Sequence, residues 1–198
     1  MLELLTGSGL ALSAGLNAFI PMLSIGLLAR YTDTVELPAQ WLWLENGWVL
    51  VVLGVLLLLD VVADKVPAVD HVNDVVQTFV RPTAGGIVFA AGSTSETPAI
   101  TDPGAFFTSS AVWPFVIGVV LALSTHVAKA SARAVVNLST AGTGAPVVST
   151  VEDVSSLTMT VLAILVPVLV IVFLLILVGM GMWVRQRLRQ RKRERSFI

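Results

Sequence analysis

Val161-Leu162-Ala163-Ile164-Leu165-Val166-Pro167-Val168-Leu169-Val170-Ile171-Val172, continuing as Phe173-Leu174-Leu175-Ile176-Leu177-Val178-Gly179-Met180-Gly181-Met182-Trp183-Val184, runs from end to end without a charge. A helix of that length reaches across the roughly 30 Å hydrocarbon layer of a bilayer, and Pro167 is tolerated inside it with a kink. Directly behind it stand Arg185, Arg187, Arg189, Arg191, Lys192, Arg193 and Arg195. A basic cluster beside a span stays on the cytoplasmic side, so the two features together predict a membrane protein whose C-terminus is inside. Arg alternating with Gln offers no base-reading pattern. The tail therefore reads as a topology signal and a contact for anionic lipid, with no nucleic acid involved.

Composition agrees with this stretch. Of 198 residues, 56% are hydrophobic and 13% charged, with a mean hydropathy of +0.88, where a soluble domain carries about 25% charged residues. The formal net charge of -1 conceals a division: the stretch 185–198 holds seven Lys/Arg and one Glu, and the rest of the chain holds five Lys/Arg against twelve Asp/Glu. With no cysteine, disulfide frameworks, thiolate metal sites and cysteine nucleophiles are excluded. Met1-Leu2-Glu3-Leu4-Leu5 lacks the basic flank and small-residue cleavage site of a secretory signal and is expected to stay in the mature protein. The expected organisation is one membrane domain over residues 1–184 and a basic cytoplasmic tail over 185–198.

Residues 48–63 and 111–128 are further apolar runs that read as spanning helices. Residues 4–29, 82–92 and 134–148 are apolar but rich in Gly, Ser, Thr or Pro, which marks them as candidate broken or re-entrant helices, since irregular backbone at membrane depth survives only against protein or a watery cavity. Connections fall at 31–47, where Trp41, Trp43 and then Trp48 suit the membrane interface, and at 93–110, which has no Lys or Arg and is expected outside. The predicted fold is an all-α polytopic membrane helical bundle of about four to six embedded elements with broken or re-entrant helices. A two-fold internal repeat, of the inverted kind found in transporters, is suggested by two correspondences. Gly9-Leu10-Ala11-Leu12-Ser13-Ala14-Gly15 can be laid on Gly86-Ile87-Val88-Phe89-Ala90-Ala91-Gly92, and Lys65 and Asn73 fall on Lys129 and Asn137 at one common offset.

Charge is scarce in the body, so the places where it gathers are the candidate sites. Asp60 and Asp64, four residues apart, share a helix face at the end of an apolar run, and Asp70 and Asp74 repeat the spacing after Pro67. If helix resumes there, Val69, Val72, Val76 and Phe79 form an apolar stripe, with Asp70, Asp74 and Arg81 on another face. These acids read either as a solvated end cap with an amphipathic piece on the surface, or as carboxylates that bind cations or relay protons at a cavity. Paired Asp-x-x-x-Asp spacings also resemble the magnesium-diphosphate motifs of intramembrane prenyltransferases, but the chain is short for that fold and the pairs are adjacent.

The complementary constellation is His126, Lys129, Arg133 and Asn137, which share one narrow helix face. Small neighbours such as Ala128, Ala130 and Ala132 let another helix approach closely. The following Asn137-Leu138-Ser139-Thr140-Ala141-Gly142-Thr143-Gly144-Ala145-Pro146 can break a helix and present amides to an anion, with Lys129 and Arg133 supplying charge. The alternatives are that these bases are topology markers, or that they pair internally with Asp64, Asp70 or Glu152. Glu152 and Asp153 nearly cancel them, so the segment is a poor positive-inside signal. Asn17 and Pro21 read as the unwound centre of a broken helix, or as a plain kink. His71 and His126 are the only histidines and read as hydrogen-bonded polar residues; no metal site, no cofactor and no catalytic triad is recognised.

The stretches Gly15-Leu16-Asn17-Ala18-Phe19-Ile20-Pro21, Ala29-Arg30-Tyr31, Ala63-Asp64-Lys65-Val66-Pro67-Ala68-Val69-Asp70 with Asp74, and Arg81-Pro82-Thr83-Ala84-Gly85 resemble the bacterial membrane family catalogued as domain of unknown function four-one-two-six. The resemblance covers most of the chain and carries no activity. It implies a compact protein of the bacterial inner membrane whose motif residues coincide with the acidic constellation.

The functional expectation is a non-enzymatic small transporter or flippase, expected to be dimeric, for an anionic substrate such as a phosphate-bearing lipid. Lys129, Arg133, Asn137, Asn17 and Arg81 are the candidate substrate-binding residues, and Asp64, Asp70, Asp74, Glu152 and Asp153 the candidates for coupling to protons or cations. A membrane scaffold or accessory subunit is the alternative, and a magnesium-dependent intramembrane lipid-modifying enzyme the third reading.

Overall fold

The computed structural model describes residues 2–65, 67–93, 112–141, 143–172 and 175, apart from the side chains of 67, 68, 70 and 71. Among the described residues every regular element is a helix: α1 (Leu2–Leu16), α2 (Phe19–Tyr31), a 3-10 helix (Ala39–Glu45), α3 (Gly47–Ala63), α4 (Pro67–Gly92), α5 (Val112–Thr140) and α6 (Ala145–Leu165). α5 and α6 are long and apolar enough to cross a membrane; α3 joins them only if the 3-10 helix, bent by 65° from it, belongs to the same span. α1 and α2 are shorter apolar helices.

The distribution of side chains is inverted relative to a water-soluble bundle. Trp48, Phe79, Trp113 and Leu138 are 71–88% exposed, whereas Asp60, Asp64, Arg81, Lys129 and Arg133 are 0–5% exposed. Ionisable groups turned inward beneath an apolar surface are what a lipid-solvated chain requires. α4 follows the amphipathic pattern read from its sequence, with Val69, Val72, Val76 and Phe79 facing outward and Gln77 and Arg81 buried.

α1 lies at the centre and packs on α4, α5 and α6. Glycine is required where α1, α4 and α5 cross: a Cβ at Gly15, Gly85 or Gly118 would run into Ala122 or into the facing backbone. Such close approach is how helices associate where lipid supplies no hydrophobic drive. α1 and α6 are latched by hydroxyls, Ser13 Oγ lying 2.8 Å from Ser156 Oγ and 2.7 Å from Thr160 Oγ1. After Asn17 the chain doubles back, so that Leu2, Glu3 and Thr6 share a pocket of about 200 Å³ with Ile25, Thr34 and Glu36 at the far end of the hairpin.

Several expectations are corrected. Residues 82–92 are no separate re-entrant piece; they form the second half of continuous α4, with Pro82 inside it, because their small residues serve close packing against α1 and α5. Residues 134–148 contain the helix break that their Gly, Thr and Pro content predicts. α5 runs through Thr140, Ala141 adopts a left-handed conformation (φ 50°), Gly144 N–H donates to Thr140 Oγ1 at 3.1 Å, and α6 starts at Ala145 with Pro146 in its first turn, where a missing N–H is harmless. α6 therefore begins well before the apolar run at 161 and carries Glu152 and Asp153 inside a helix.

The kink at Pro167 is present, α6 ending at Leu165 and helix resuming at 168–172; the rest of the apolar run and the tail lie outside the described residues, apart from Leu175. Val170, in that resumed helix, packs at Gly9 of α1, and Phe89 near the end of α4 packs at Gly7. The ends flanking the 94–111 connection therefore stand at the same end of the bundle as Leu2 and Val170. The two lysines paired in the suggested repeat are unlike: Lys65 lies in the turn after α3 with a 40% exposed side chain, and Lys129 lies within α5 at 2%. No two-fold repeat is evident among the described residues.

Candidate functional site

The site forms where the α1–α2 break meets the C-terminal end of α3, the N-terminal half of α4 and the facing stretches of α5 and α6. Asn17 makes the break. Its Oδ1 accepts hydrogen bonds from Phe19 N–H at 3.0 Å and Ile20 N–H at 3.3 Å, capping α2 as an Asn does at a helix start. Its Nδ2 donates to Asp60 Oδ2 at 3.1 Å and to Asp153 Oδ1 at 3.0 Å. Because Ile20 N–H is taken by the side chain, the Leu16 carbonyl has lost its helical donor, and Lys129 Nζ supplies one at 3.0 Å.

Three buried acids, Asp60, Asp64 and Glu152, face three buried bases, Arg81, Lys129 and Arg133. Lys129 Nζ lies 3.1 Å from Glu152 Oε2 and 3.7 Å from Asp64 Oδ2. Arg133 Nη2 donates to Glu152 Oε2 in a short contact and to Asp64 Oδ2 at 3.2 Å, and its Nη1 is 3.7 Å from Asp74 Oδ1. Arg81 is held more loosely, its Nη2 4.0 Å from both Asp60 Oδ2 and Asp64 Oδ2, with Nε and Nη2 lacking a hydrogen-bond acceptor. Asn73 Nδ2 donates to Asp60 Oδ1 at 2.7 Å and to Asp64 Oδ1 at 2.8 Å, and Gln77 Nε2 donates to Asp60 Oδ1 at 2.7 Å.

His126 completes the inner layer. Its Nδ1 is 3.5 Å from Arg81 Nη1 and its Nε2 is 3.1 Å from Thr78 Oγ1. Guanidinium only donates, so Nδ1 is the accepting nitrogen and the imidazole is neutral with its proton on Nε2. At the rim, Lys65 Nζ is 4.0 Å from Asp153 Oδ2.

Of the residues singled out in the sequence, Asn17, Asp64, Asp74, Arg81, Lys129, Arg133, Glu152 and Asp153 are brought together. Asn137 continues the same face of α5 one turn further on, with Oδ1 buried and without a hydrogen-bond partner among the described residues. The side chain of Asp70 lies outside the described residues. Asp60, ranked below the other acids in the sequence, is among the most buried and most heavily hydrogen-bonded. Asn73 and Gln77 were missed as site residues; their spacing with Arg81, every fourth residue along one face of α4, was the available signal. Asp60 and Asp64 converge on the Asn73 amide, and among the described residues no group of three or more Asp, Glu or His gathers as a metal would need.

α6 reaches this layer in a particular way. It packs chiefly on α1 and only slightly on α5, so the ion pairs of Glu152 with Lys129 and Arg133 are the principal polar bridge across the α5–α6 gap.

The profile described as "Domain of unknown function (DUF4126)" matches residues 4–187. No curated protein and no solved structure matches the chain.

Proposed function

The chain belongs to this bacterial integral-membrane family of unknown function, and we propose, on the chemistry of the site, that it is a small membrane transporter for a substrate with an anionic group, coupled to protons. The observation that carries the reading is the Glu152 bridge: a carboxylate on α6 neutralises two buried bases on α5 next to a broken helix. A discontinuous helix whose freed carbonyl and cap point at buried charge is how many transporters build a binding site.

Desolvated Lys129 and Arg133 need a counter-charge at every moment, because an unpaired buried charge costs several kcal/mol, about 3–5 when one partner is lost. An arriving phosphate or carboxylate would replace Glu152, and Glu152, leaving its bases, would take up a proton. Anion and proton would then move together with no net charge left in the interior. Asp64 and Asp74 would keep Arg133 and Lys129 oriented, and Arg81 and Asn17 would hold the acids on the other side. The basic tail is read as cytoplasmic and as a contact for anionic lipid, and a homodimer remains part of the proposal.

The test uses the full chain in proteoliposomes with two substrates: inorganic phosphate, with an internal pH dye, and a phospholipid carrying a fluorescent label, with an external quencher. Proton entry driven by phosphate, or scrambling of the labelled lipid, is expected for the wild type and should be lost in Lys129→Ala and Glu152→Gln. No transport of either substrate, or transport unchanged by both variants, overturns the proposal. A second reading, a membrane scaffold, is favoured by one observation: three buried acids are matched by three buried bases within the chain itself. Recovery as a stoichiometric complex, with neither substrate moved, would support it.

A further inference from the structure

The ammonium of Lys129 sits among oxygens: the Leu16 carbonyl at 3.0 Å, Glu152 Oε2 at 3.1 Å and Asp64 Oδ2 at 3.7 Å. Its side chain is 2% exposed, as is that of Asp64, and that of Glu152 is 9% exposed. The carbonyl is available only because Asn17 Oδ1 has captured the Ile20 N–H that would otherwise bond to it. It lies at the C-terminal end of α1, the negative end of the helix dipole. A carbonyl freed at a helix break, with carboxylates beside it, is the donor set that coordinates alkali cations in membrane transporters.

We propose that Leu16 O, Asp64 and Glu152 form a monovalent-cation site and that the Lys129 ammonium occupies it as a tethered cation. The charge fits one positive unit and no more. Arg133 Nη2 already engages the same Asp64 oxygen at 3.2 Å and also contacts Glu152, so a divalent ion would meet a second cation a few ångströms away. The assignment goes beyond the transport reading and stands whether or not the protein moves a substrate. Its consequence is that the wild type needs no sodium or potassium to hold this end together, and that removing the lysine side chain creates such a need.

The experiment is thermal unfolding of the full chain in detergent, in sodium chloride, potassium chloride or choline chloride at equal ionic strength. Choline is too large to enter a site that an ammonium fills. Lys129→Ala is expected to unfold at a lower temperature than the wild type in choline and to recover a few degrees, saturably, in sodium or potassium. The wild type should unfold at the same temperature in all three salts. Lys129→Ala combined with Glu152→Gln, which removes one anionic ligand, should lose the cation response. A Lys129→Ala variant indifferent to the cation, or a wild type that responds as strongly, overturns the assignment. If Lys129→Ala is not recovered folded in choline, extraction in sodium or potassium must rescue it, and failure in every salt also overturns the proposal.

Discussion

The two ends of α1 are held by opposite means. At its N-terminal end Gly7 and Gly9 let Phe89, Ala163 and Val170 close in on the backbone, and no ion pair takes part among the described residues. At its C-terminal end Leu16 and Asn17 meet Lys129, Asp60 and Asp153, within a layer of six buried charges. The Ser13, Ser156 and Thr160 hydroxyls stand between the two. In lipid, apolar contact between helices gains little, so association rests on tight packing or on polar contacts. α1 uses one at each end, which makes the first end sensitive to volume and the second sensitive to charge.

The largest expected effect breaks the charged end. Arg133→Ala leaves Asp64 and Glu152 buried beside one base fewer and is expected to destabilise by about 3–5 kcal/mol, read from unfolding in detergent. Adding Glu152→Gln should return part of that loss, so the double variant should fall well short of the sum of the two singles. Strict additivity would mean that the contact between Arg133 and Glu152 contributes nothing. Asn17→Leu comes next. It removes a helix cap and takes the hydrogen-bond donor from Asp60 Oδ2 and Asp153 Oδ1, for an expected loss of about 2–3 kcal/mol.

At the other end, a Cβ at Gly9 would lie 2.6 Å from Ala163 Cβ and 2.7 Å from Val170 Cγ2. Gly9→Ala is therefore expected to cost about 1–2 kcal/mol through overpacking. Ala163→Gly should relieve part of it, and Glu152→Gln should have no influence. A rescue pattern that crossed between the ends would show that they are one unit.

How far this division could be read from the sequence depends on the residue. The break at Asn17 was legible as one of two readings, an unwound helix centre or a plain kink at Pro21; that the Asn17 side chain caps α2 was not read. The inward face of α5 was legible in the helical spacing of His126, Lys129 and Arg133; Asn137 keeps that spacing one turn further on, with an Oδ1 that has no hydrogen-bond partner among the described residues. The partner of Lys129 was harder. Glu152 was visible as a nearby acid, but hydropathy placed the span at 161. Only the stripe of Ala145, Ser149, Glu152, Ser156 and Ala163 facing inward shows that the helix starts at 145 and brings the carboxylate opposite the bases. Asn73 and Gln77 were obscured for a different reason: uncharged amides lack the signal by which a charge in an apolar chain draws notice, although they hold Asp60 and Asp64 in place.

The smallest expected effect is the sharpest check on the role of charge. Ser149 is fully buried on α6, one turn before Glu152, yet its Oγ has no hydrogen-bond partner. Were polarity in general what holds the charged end, removing this hydroxyl would weaken it. If the ion pairs and the Asn17 contacts hold it, the unpaired hydroxyl contributes only its own desolvation penalty. Ser149→Ala should then change stability by no more than about 0.5 kcal/mol, in the direction of a gain. Ser13→Ala, which breaks contacts to both Ser156 and Thr160, should by contrast cost about 1 kcal/mol or somewhat more. Equal losses for the two serines would mean that Ser149 does have a partner when the protein is in its membrane, and the charged end would extend one turn further toward the α5–α6 connection.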